Sequence, residues 1–130
     1  MAENKAGGTN MVANEYQVGG EHYKSEYQHW DFALDLDLPY LEGSATCYVG
    51  RWRKKGGKQD LQKALHFLEK IIETTDYMVE RNMPIEEIYE HVKRYGDANG
   101  LNKDELRFIF LVCAYTDIKD LEDAKEILEN

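Results

Sequence analysis

The chain has 130 residues, 32% charged and 42% hydrophobic, with a formal net charge of -9 and a pI near 4.9. That length suits a single domain with one modest core. The acidic balance excludes general binding to DNA, RNA or anionic membranes, so an anion site has to be local, and a small phosphate-bearing ligand is favoured over a nucleic-acid strand.

Residues 1–17 are polar and carry Gly7, Gly8, Asn10 and Asn14. They read as a disordered or loosely docked arm, leaving 18–130 as a single helical domain. No apolar leader is visible in "MAENKAGGTN". After Gly19-Gly20 the chain is dense in aromatics, with Tyr23, Tyr27, Trp30 and Phe32. A short helix over 30–36 is expected, ended before Pro39. A second is expected over 41–54. Its Gly43, Ser44 and Ala45 are small enough for close packing or close approach of a ligand, and Tyr48, Arg51 and Lys55 share a face, with Trp52 beside it.

Gly50-Arg51-Trp52-Arg53-Lys54-Lys55-Gly56-Gly57-Lys58 carries five Lys or Arg in nine residues of an otherwise acidic chain. A charge run is often only a solvated corner between two helices. Here the glycines stop one helix and the apolar pattern restarts at Leu61, so the basic run meets a helix start. Free N–H groups and the positive dipole end suit a phosphate there. The spacing is not that of a Walker A loop and no strand precedes it, so a grip on phosphate would come from side chains, Arg51 foremost as a bidentate donor.

The third helix is expected from Asp60 to about position 81, with Leu61, Ala64, Leu65, Leu68, Ile71, Ile72 and Thr75 as its apolar stripe and Pro84 as the break. Pro84 then opens a helix carrying Ile85, Ile88, Tyr89 and Val92, closed by Gly96. Asn102 with Glu105 has the pattern of a capping box. The helix behind it, "LRFIFLVCAY", is apolar nearly all round, hence either central or packed between subunits. From residues 108–115 a homo-oligomer is expected, most simply a dimer, whose ligand sites draw on both chains. Asp120 is expected to cap a last helix with Leu121, Ala124, Ile127 and Leu128. The fold class is all-α, a compact bundle of five to six helices.

Cys47 and Cys113 sit in apolar helical stretches without metal-ligand spacing and read as free, buried thiols of a reducing compartment. With no stretch long enough to span a bilayer, a cytoplasmic location is expected. None of His22, His29, His66 and His91 pairs with another His or Cys at metal-ligand spacing, so no metal site is assigned. Asp31, Asp35 and Asp37 have the chemistry for Mg²⁺ around a phosphate, but acids near helix ends more often serve the helix. Tyr23, Trp30, Tyr48 and Trp52 are candidates for stacking on a nucleobase, although aromatics of a small domain are usually core.

"HY" at 22–23, "QHWDF" at 28–32, "GSATCYVGRWRKKGG" at 43–57 and "DLQKALHFLEKIIE" at 60–73 resemble the small bacteriophage nucleotide-kinase-like family, many of whose members have no assigned function. The family's usual pattern is H-Y, Q-P-W-D-F, G-N-A-x-K-Y-x-x-R-x-x-x-K-G-G and D-L-x-K-A-x-x-Y-L. The resemblance spans residues 21–73 and implies a phage origin, an infected bacterial host cell as setting, and nucleotide binding without a P-loop. It implies a pocket from His22, Tyr23, Trp30, Asp31, Tyr48, Arg51, Lys55 and Asp60. The charge and aromatic arguments add Trp52, Lys54, Gly56, Gly57 and Lys58 to the binding residues. This chain departs from the pattern at His29 (Pro in the family), Ser44 (Asn) and Cys47 (Lys). Loss of that Lys would cut chemistry more than binding if it stabilises a transferring phosphoryl group. The expected function is therefore a non-catalytic binder that sequesters a phosphorylated nucleotide, such as a cyclic ADP-ribose or cyclic oligonucleotide signal of host immunity, with no cofactor. The alternative is a nucleoside monophosphate kinase using Mg²⁺ and ATP. Arg51→Ala is expected to weaken binding while leaving the fold intact.

Overall fold

The structure, a computed structural model, describes residues 26–76, 81 and 83–130. The arm expected over 1–17, and His22 and Tyr23, lie outside the described residues. The described residues form six helices and no strand: α1 (His29–Leu36), α2 (Tyr40–Arg51), α3 (Lys58–Thr74), α4 (Ile85–Asn99), α5 (Lys103–Ala114) and α6 (Ile118–Glu129). The fold is all-α, as the periodicity predicts.

Local chemistry sets the helix ends. The side chain of Asp31 accepts from the Gln28 N–H at 3.0 Å and closes a capping box at the start of α1. Asp37 ends α1 in the left-handed region (φ 53°), which leaves Pro39 extended as the N-cap of α2. At α5 the expected capping box is present: Asn102 Oδ1 accepts from the Glu105 N–H at 2.9 Å, and Glu105 Oε1 accepts from the Asn102 N–H at 2.8 Å.

Four expected boundaries move. α2 stops at Arg51 rather than at 54, because Trp52 and Arg53 are drawn across to α5. α3 ends at Thr74, well short of 81. There the Thr74 hydroxyl bonds back to the Lys70 carbonyl, and Thr75 turns extended, its hydroxyl 3.3 Å from that of Tyr115. α4 runs through Gly96 to Asn99 and closes at Gly100, in the left-handed region (φ 71°). α6 is capped by Asp117, whose carboxylate accepts from the Asp120 N–H, and Asp120 sits inside the first turn.

α2 and α5 are the inner pair. α2 packs against α1, α3 and α5, while α5 packs against α2, α4 and α6. Phe108, Ile109 and Val112 of α5 are fully buried, and they meet Phe32, Val49, Leu68 and Leu121 in the core. Of the two places open to so apolar a helix, α5 takes the central one within a single chain. Helices on three sides bury Phe108, Ile109, Val112 and Cys113, while Phe110 and Leu111 stay partly buried, Phe110 beneath the exposed Tyr89 of α4.

Candidate functional site

Helical spacing gives α2 two faces. Glu42, Ala45, Thr46 and Val49 point inward. Tyr40, Gly43, Ser44, Cys47, Tyr48 and Arg51, at steps of three and four, form the opposite face. With His29 and the Leu38-Pro39 link they line a cleft of about 330 Å³. Gly43 and Ser44 keep part of its wall low.

Two tyrosines carry the apolar surface of this face. Tyr40 is 76% exposed, with its ring edge-on to Phe67 of α3 at 5.9 Å. Tyr48 is stacked on Phe67, also at 5.9 Å. Two cations approach the Tyr48 ring: the Arg51 guanidinium lies 4.8 Å from its centroid and the Lys63 ammonium 5.4 Å.

Arg51 is held from below. Its Nε donates to Asp60 Oδ2 at 3.0 Å and a terminal nitrogen donates to Oδ1 at 3.3 Å. Asp60 is 1% exposed, whereas the Arg51 side chain is 31% exposed. Both glycines of the turn serve this pair. A Cβ on Gly56 would collide with the Asp60 carboxyl group, and Gly57, at φ 61° and ψ -148°, occupies a region open essentially to glycine alone. The first turn of α3 therefore already carries an anion, its own Asp60. Arg51 has five N–H donors and also lines the cleft.

The rest of the basic run is divided. Trp52 Nε1 donates to Glu105 Oε2 at 2.6 Å. Arg53 grips both oxygens of Glu105, at 2.9 and 2.7 Å, and the Gly100 carbonyl at 3.1 Å. The Lys54 ammonium donates to the Asn99 carbonyl at 3.3 Å. These three side chains fasten the 52–57 turn to the α4–α5 junction. Lys55 and Lys58 are exposed, and neither lines the cleft. Burial by itself would raise the pKa of Glu105. The hydrogen bonds from Arg53, the Asn102 backbone and Trp52 together outweigh it and hold the carboxyl below its usual range.

Of the residues picked out in the sequence, the cleft gathers Tyr48 and Arg51. Trp30 is half-exposed on α1 and Asp31 caps that helix; neither lines the cleft. Asp35 accepts from the Tyr27 hydroxyl at 2.7 Å. Among the described residues no group of three His, Cys, Asp or Glu is placed to hold a metal ion. Tyr40, Lys63 and Phe67 escaped the sequence reading. Tyr40 was visible as the first member of the 40-43-44-47-48-51 series, but Lys63 and Phe67 join the site only through the packing of α3 on α2.

Two cleft residues are held neutral. Burial pushes the His29 imidazole down to about 4. Its Nε2 lies 2.9 Å from the Thr46 hydroxyl, which donates to the Glu42 carbonyl, so neutral His29 has its N–H on that oxygen. Burial raises the Cys47 thiol, against a smaller opposing pull from Arg51. The position where the phage family's pattern has Lys is uncharged here. The chain matches no protein-family model, no curated protein and no solved structure. Among the described residues no helix is long and apolar enough to cross a membrane.

Proposed function

We propose that the protein binds a small phosphorylated nucleotide in the α2 cleft and holds it without turning it over. One observation carries this reading: the outer face of α2 presents an exposed tyrosine ring, a second tyrosine whose ring Arg51 and, from α3, Lys63 approach, and a low wall at Gly43 and Ser44. A base would stack on Tyr40, and its phosphate would reach the Arg51 guanidinium and the Lys63 ammonium. Stacking together with charge-assisted hydrogen bonds is a common way to hold nucleotides. About 330 Å³ lies at the small end of ligand sites and suits one nucleotide or a compact cyclic one. Capture of a host immune signal of that kind, in an infected bacterium, is the biological form of the proposal. It rests on the phage-family resemblance. A neutral thiol at Cys47 brings no charge to a transferring phosphoryl group, which favours holding over kinase chemistry. A second copy of the chain, if it contributes, would meet α4 at Ile85 and Tyr89, which are 46% and 51% exposed.

The test is direct. Protein purified from infected cells is denatured by heat and the released small molecules are identified by mass spectrometry. An intact nucleotide is expected, unchanged after incubation with ATP and Mg²⁺. Tyr40→Ala should weaken rebinding about fivefold to a hundredfold, the worth of one stacked base. Lys63→Ala should weaken it in a salt-dependent way. Multiple turnovers to a diphosphate would establish the kinase instead. Full affinity in both variants would remove the cleft from the function.

A further inference from the structure

A second cavity lies on the other side of the Leu38-Pro39 link, about 240 Å³ in volume, between α2, α4 and α5. Leu38, Met83, Ile88 and Val112 are its apolar lining, and Asp37 lines it as one of two acids. Glu42 also lines it, a carboxylate only 8% exposed. Glu42 Oε2 accepts from the Tyr115 hydroxyl at 2.9 Å, and Oε1 accepts no hydrogen bond from the described residues. Arg81 lines the same cavity. Its guanidinium lies 4.8 Å from the Tyr115 ring and donates to the Tyr115 carbonyl, but it makes no ion pair with Glu42.

A buried carboxylate with an open oxygen is costly, and native interiors nearly always satisfy such atoms. Here the cavity also holds a guanidinium that could have neutralised it and does not. Water is the plainest occupant, and at ~30 Å³ each about eight molecules would fit. Polar and apolar groups share the lining, so a solute that carries both suits it better than water alone. One solute satisfies all three features: an ammonium donates to Glu42 Oε1, an anionic group accepts from Arg81, and an apolar body lies against Leu38, Ile88 and Val112. We propose that this cavity binds a small zwitterion of amino-acid type, with its ammonium on Glu42 and its carboxylate on Arg81. The inference is independent of nucleotide binding in the cleft.

The test titrates the full chain with three probes of like shape, followed by calorimetry: L-leucine, isoamylamine, which lacks the carboxylate, and isocaproate, which lacks the ammonium. L-Leucine is expected to bind, and each half-analogue about tenfold or more weakly. Glu42→Gln and Arg81→Gln should each weaken L-leucine by a similar factor. No binding of L-leucine at millimolar concentration would mean a merely hydrated cavity and overturn the proposal. So would a half-analogue that binds as tightly as L-leucine, or unchanged affinity in a folded Glu42→Gln protein. The probe comparison uses the unaltered chain, so it remains decisive even if a variant does not fold.

Discussion

Asp60 and Arg51 set how the basic run can be interrogated. Because Asp60 is 1% exposed, Arg51→Ala would leave a carboxylate buried without its partner. Removing one member of such a pair costs about 3–5 kcal/mol, so urea denaturation of Arg51→Ala should show a large loss of stability. The sequence alone predicts a tolerant fold, and the urea curve decides between the two expectations. Gly56→Ala should act on the same pair, by pushing a methyl group into the Asp60 carboxyl. His29 gives a second test at this scale. Burial lowers its folded pKa to about 4, against 6.5 unfolded. A depressed base binds its proton only in the unfolded chain between those values. Its contribution is therefore fully present above pH 6.5 and is lost as pH falls toward 4. His29→Gln should flatten that part of the stability profile, measured as denaturant midpoint against pH.

At the scale of elements, one carboxylate joins two segments. Glu105 closes the α5 capping box and receives Trp52 and Arg53 from the turn after α2. Its pKa is depressed in the fold, so its stabilisation is present above the ordinary value of 4.5 and is lost as pH falls through the lower folded value. Glu105→Gln should lower stability at neutral pH and shrink the further loss seen below pH 4.5. Trp52→Phe keeps the apolar ring but removes a hydrogen bond to a charged acceptor, worth about 1.5–3 kcal/mol. Thermal melts of the two variants and of the double variant would give their coupling. A double variant equal to the sum of the singles would mean that the Trp52–Glu105 bond contributes nothing of its own.

For the whole molecule, α5 is the centre on which the other helices depend. Phe108 is fully buried where α5 faces its neighbours. Phe108→Ala should cost about 3–5 kcal/mol, a large share of the roughly 5–15 kcal/mol that holds a typical domain together. Loss of helical circular dichroism in one transition at lower denaturant is the expected result. Two separated transitions would mean that the bundle does not unfold as one unit.

The helix count, the all-α class, the Asn102–Glu105 box and the inward stripe of α3 were legible in the sequence. They depend on periods of three and four residues and on caps formed within one turn. The cleft face of α2 was legible in part: Tyr48 and Arg51 stand on it at the predicted spacing, and Gly43 and Ser44 leave room. Tertiary structure alone decided what the cations do. Seen in the chain, Arg51, Arg53 and Lys54 are alike, a charge run beside two glycines. In the fold Arg51 pairs with a buried acid nine residues on, and Arg53 and Lys54 reach the α4–α5 junction some fifty positions away. Ion pairs have no sequence period; they form where packing brings charges together and excludes water. The same reason placed Lys63 beside Tyr48, ended α2 at Arg51, and left Glu42 facing a cavity that no spacing in the sequence announces.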